Sequence, residues 1–140
     1  MRTFPRPLAL AALMLALAAF ACAIEVNTAH LEFAKTYTGP TREDHNTRSF
    51  TPDQTVYCLV NVRDVKAPVT LEMVWVRVER DEDGNTTDEI ELGREERTLT
   101  QDDEIFFAFG PPEGGWEKGP YRIHLYLEDD LEMSLDFKVK

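Results

Sequence analysis

The sequence predicts an all-β fold, an antiparallel sandwich of about seven strands. Two observations carry that prediction. Several stretches alternate apolar and polar residues with a period of two, the mark of half-buried strands. Turn-forming residues separate them, and no stretch after residue 23 carries the helical period of an amphipathic helix.

The strands are predicted in order as follows. Leu31 and Phe33 mark a short first strand. Residues 36–54 are polar and punctuated by Gly39, Pro40 and Pro52, so they read as a long loop or ragged edge. Val56 to Arg63 form a clear second strand, which Ala67-Pro68 ends. Thr70 to Glu79 form a long third strand, and Asp83-Gly84 is a hairpin signal. Ile90 and Leu92 mark a weaker strand, and Ile105 to Phe109 an apolar one. The run Gly110-Pro111-Pro112-Glu113-Gly114-Gly115 is a loop. Tyr121, Ile123, Leu125 and Leu127 then alternate cleanly. After an Asp129-Asp130 turn, Leu131, Met133, Leu135, Phe137 and Val139 alternate again.

Residues 1–23 are expected to be a cleaved signal peptide, with residues 24–140 as one domain. Arg2 and Arg6 make a positive start, Leu8 to Phe20 an apolar core, and Ala21 and Ala23 small residues for cleavage. The apolar run is short for a membrane span. Ala19-Phe20-Ala21-Cys22 is similar to a bacterial lipobox, although Ala19 and Phe20 stand where that motif has leucine and a small residue. The resemblance implies lipidation of Cys22; plain cleavage leaves a soluble exported protein. Both readings place the domain in the periplasm, at the cell surface or outside the cell.

The chain has 15 Lys and Arg against 26 Asp and Glu, net −11 at pH 7. The expected leader holds two arginines and no acid, so its removal leaves the domain at −13. That field repels phosphate backbones and anionic lipid head groups. No nucleic-acid partner is expected, and a membrane is expected only through a lipidated Cys22. Cys58, then the one certain thiol of the domain, shares a strand face with Val56, Val60 and Val62 and reads as a buried, inert residue.

No residue set suggests catalysis. His30, His45 and His124 lack metal-ligand spacing, and neither a G-x-S-x-G elbow nor a phosphate-binding loop is present. No enzyme activity, cofactor or metal is therefore expected. The acidic run from Asp81 to Glu89 invites calcium, but Gly84 stands fourth from Asp81, not sixth as an EF-hand loop needs.

Cys58 on the second strand, Trp75 on the third and Tyr121 opening the sixth follow the order of marker residues in immunoglobulin domains. Ile123 falls where the second cysteine belongs. The chain resembles an immunoglobulin-like domain of exported bacterial proteins. That resemblance implies a Cys58–Ile123 apolar contact in place of the disulfide, and a sixth strand lying beside the third.

The third strand is apolar on both faces. Leu71, Met73 and Trp75 point one way; Val74, Val76 and Val78 point the other. Intramolecular cover, for example by the 36–54 loop, is one explanation. Contact with another protein, a second copy of this chain included, is the other. Arg122, His124 and Tyr126 would extend such a patch, giving candidate binding residues Val74, Val76, Val78, Arg122, His124 and Tyr126. The expected function is a non-catalytic binding module of the bacterial envelope or exterior. Two alternatives stand beside it: a structural lipoprotein anchored at Cys22, and an inhibitor of exported proteases presenting the Gly110–Gly119 loop with Trp116.

Overall fold

The computed structural model describes residues 28–140. The expected leader and Cys22 lie outside the described residues. Eight strands follow: β1 (His30–Tyr37), β2 (Ser49–Phe50), β3 (Val56–Arg63), β4 (Val69–Arg80), β5 (Thr86–Leu99), β6 (Asp103–Phe109), β7 (Gly119–Leu127) and β8 (Asp130–Val139). They form a three-stranded sheet, β1-β3-β6, and a five-stranded sheet, β2-β8-β7-β4-β5. No described residue is helical.

This is an immunoglobulin-like antiparallel sandwich. The small sheet has the order A-B-E and the large one G-F-C-C′ of that fold. The two-residue β2 adds a parallel pairing to β8, Ser49 opposite Lys138 and Phe50 opposite Val139. β4 is flanked by β7 on one side and β5 on the other.

Alternation sends one face of each sheet inward. Cys58, Val60 and Val62 from β3 meet Leu71, Met73, Ile123, Leu125, Leu135 and Phe137 from the large sheet in one core. Cys58 and Ile123 are both fully buried in that core, on opposite sheets. Burial pushes the Cys58 thiol up to about 12. Tyr121 lies near the start of β7 and donates its hydroxyl to the Glu117 carbonyl at 2.6 Å. This bond back to the upstream backbone makes a tyrosine corner, two residues before Ile123. Trp75 packs tilted on Phe109, ring centroids 4.1 Å apart.

Three elements differ from expectation. β1 runs on through Tyr37, so the long connection begins at Thr38. From it Arg42 reaches the small sheet, pairing with Glu104 and lying over the Phe33 ring. β5 is fourteen residues long rather than a short strand near Ile90. The β7–β8 turn falls at Glu128 and Asp129, both at positive φ (47° and 69°), one residue earlier than expected. Two such residues in a two-residue loop make the hairpin turn that matches strand twist.

Candidate functional site

The six candidate binding residues come together on the outer face of the large sheet. Val74, Val76 and Val78 form a second apolar cluster, separate from the core, with Tyr126 against it. Val74 lies opposite His124 and Val76 opposite Arg122 across the β4–β7 ladder. The valines are not an open patch, since they are only 7, 4 and 4 % exposed.

Their burial comes from within the chain, and not from the long loop. The cover is built from side chains of the two strands flanking β4. Arg122 on β7 donates from Nη1 to Glu89 Oε1 on β5 at 2.7 Å. His124 on β7 reaches the other oxygen of Glu89, Nε2 to Oε2 at 2.8 Å. β4 lies between β7 and β5, so both contacts pass above its outward valines. The lattice continues to β8, where Arg122 Nε donates to Asp136 Oδ1 at 2.6 Å and His124 Nδ1 lies 2.7 Å from Ser134 Oγ. A carboxylate can only accept, so His124 carries its proton on Nε2 toward Glu89. The Ser134 hydroxyl, which can donate or accept, partners Nδ1. Nearer the β7–β8 turn, Arg94 on β5 pairs with Glu91 and with Glu72 on β4.

The electrostatics follow from these contacts. The hydrogen bond from His124, helped by Arg122, holds the Glu89 carboxyl below its ordinary value against partial burial. The hydrogen bond to Asp136, with that to Glu89, raises the Arg122 guanidinium further. Burying a valine contributes about 1.5–3 kcal/mol, whereas an exposed ion pair contributes about 0–1 kcal/mol. The lattice therefore acts chiefly as a lid that keeps three valines dry. It also leaves Arg122, His124 and Glu89 in fixed positions on the surface.

Val74, Val76, Val78, Arg122, His124 and Tyr126 were legible from strand alternation. Glu89, Ser134 and Asp136 were not, because their place on the face depends on register across four strands. Trp116, the residue expected at the tip of a presented loop, is turned inward and 5 % exposed. Its ring N–H donates to the Gln54 carbonyl and its backbone N–H to Pro52, both at 2.8 Å. In the acidic hairpin, Asp81 Oδ1 accepts from the backbone N–H groups of Asp83 and Asn85 at 3.0 and 2.9 Å. Among the described residues no group of three His, Cys, Asp or Glu side chains is arranged to hold a metal.

No family model matches this chain, and no curated protein matches it. Solved structures do. The alkylpurine DNA glycosylase AlkC of Pseudomonas fluorescens, bound to DNA with an abasic-site analogue, aligns at TM-score 0.50 and 9 % identity over 80 % of this chain and 30 % of that one. A β-glucosidase of intestinal bacteria, involved in saponin metabolism, gives TM-score 0.49 and 14 % identity over 84 % of this chain and 17 % of that one. An immunoglobulin-like protein of Pseudomonas aeruginosa gives TM-score 0.47 and 15 % identity over 80 % of this chain and 96 % of that one. The chain thus spans under a third of the glycosylase and about a sixth of the glucosidase. At such identities the likeness concerns the fold alone. Fold and face together define an immunoglobulin-like sandwich domain with an ordered polar lattice on its large sheet.

Proposed function

We propose that this chain is a non-catalytic exported binding module that meets another protein through the outer face of its five-stranded sheet. One observation carries the reading. The face presents Arg122 and His124 half-buried and held by the exposed Glu89, beside the aromatic Tyr126. Groups ordered before contact lose little side-chain freedom on binding. Arg and Tyr are also the residue types enriched in protein interfaces. The valines are the floor of this surface and not its contact points. Export rests on the leader pattern of residues 1–23.

The test uses the tagged full chain expressed in its own organism. Proteins it retains from envelope extract are identified by mass spectrometry, for the wild type and three variants. Tyr126→Ala and Glu91→Lys alter the outer face, and Lys35→Glu alters the opposite sheet. A retained protein that both face variants lose, and that Lys35→Glu keeps, supports the reading. A partner indifferent to the face variants, or no partner at all, overturns it.

A further inference from the structure

We propose that a groove at one end of this outer face is a binding site for a compact oxyanion, a carboxylate or phosphate group. The groove has a volume of about 310 Å³ and opens at the end of the large sheet where β2, β8, β7 and β4 meet. Arg48, Arg80 and Lys138 line it together with Ser49, Pro120 and Asp136. This inference goes beyond the binding-module reading and stands on the groove's own residues.

The argument begins with charge. The chain is strongly acidic, and most of its arginines are already spent on acids: Arg42, Arg63, Arg77, Arg94, Arg97 and Arg122 all hold ion pairs. Arg48, Arg80 and Lys138 come from three separate segments and converge on one groove. All three are exposed, and none has an acidic partner among the described residues. Three unneutralised cations at one place in an acidic protein repel one another, and an anion seated between them removes that repulsion.

The neighbours fit the same ligand. Lys138 stands opposite Ser49 on one side and Pro120 on the other, so the three share one face of adjacent strands. The Ser49 hydroxyl supplies a neutral donor. The one acid in the groove, Asp136, is already held by Arg122 at 2.6 Å, which offsets its charge toward a bound anion. The groove rests on rigid structure: Tyr121 and Phe137 beneath it are stacked, 5.2 Å between centroids and 13° from parallel. Arginine offers a planar fork to an oxyanion and lysine a point charge, which suits carboxylate or phosphate equally.

The test is a titration of the full chain with three probes: inorganic phosphate, citrate and glucuronate, followed by amide chemical shifts. Saturable shifts at Ser49, Tyr121 and Lys138 are expected. Arg80→Ala and Lys138→Ala should each weaken binding about tenfold, as loss of a charge-assisted hydrogen bond does. Lys35→Ala, a cation on the opposite sheet, should leave it unchanged. Unaltered melting temperatures of the variants show that binding and not folding was lost. Preference for phosphate or for the two carboxylates identifies the source. Shifts spread evenly over all Lys and Arg residues, or none in the groove, overturn the proposal. If the groove fails while protein capture through Tyr126 persists, the anion site falls and the module reading stands. If anions bind and no protein is captured, the reverse holds.

Discussion

Arg122 and Glu89 meet 2.7 Å apart although a whole strand separates their backbones. Beneath the bond run Val76 and Val78, opposite Arg122 and Glu89 respectively in their ladders. The pair therefore joins the two neighbours of β4 over its apolar face. This arrangement governs how the domain should respond to mutation and to acid.

Glu89→Gln should destabilise the domain by about 1–2 kcal/mol at neutral pH, since it removes a charged acceptor shared by two donors. The folded protein holds this carboxyl below its ordinary value near 4.5. The stabilisation is thus complete above pH 4.5 and fades as pH falls through the depressed folded value. Melting curves between pH 7 and pH 3 should show the wild type losing its advantage over Glu89→Gln in that acid range. A difference that stays constant would mean that Glu89 acts by packing alone.

Val76→Asp should unfold the domain or cost about 2–4 kcal/mol, because an unpaired carboxylate cannot be accommodated under the lattice. Val76→Thr should be milder. Circular dichroism melts of the two variants measure this. A stable, folded Val76→Asp protein would show that the lid opens readily.

Gly93→Ala should destabilise by about 1–3 kcal/mol through overpacking. A Cβ at this position would lie 2.3 Å from the Trp75 ring, directly across the β4–β5 ladder. Trimming the ring removes the clash, so Trp75→Val should be less damaging in the Gly93→Ala background than in the wild type. A double-mutant cycle on melting temperature reads the coupling. Additive effects would contradict it.

Cys58 should resist thiol reagents as long as the domain is folded. It is fully buried, with its thiol pushed up to about 12. Labelling by a maleimide should follow the unfolding rate and accelerate with denaturant. Fast labelling in buffer would place the thiol within reach of solvent.

Much of the sandwich was legible in the sequence, because β7 and β8 each bury one face and alternate accordingly, while β3 is a mostly apolar run buried on both faces. Tyr121 and Trp75 supplied the topology. β5 was foreshortened for a physical reason: nearly all of it is exposed, with charges on both sides, so no hydrophobic alternation marks its length. The two-sided apolarity of β4 was visible, but its explanation was not. Which side chains roof the valines depends on Arg122, Glu89 and His124 reaching one another diagonally over β4 from strands far apart in sequence. Trp116 looked free because its loop is rich in glycine and proline; its anchors, Pro52 and Gln54, lie in a segment without a pattern.

The length of β5 has a consequence for handling the protein. An uncovered sheet edge is a template on which further strands can add. Here fourteen residues of edge carry Asp88, Glu89, Glu91, Glu95 and Glu96 against Arg94 and Arg97. While these acids are ionised, chains approaching edge to edge bring like charges together. The isoelectric point, near 4.6, falls in the range where carboxylates take up protons. Mild acid therefore removes both the overall repulsion between molecules and the local guard on the edge. Precipitation should set in there before the fold itself is lost.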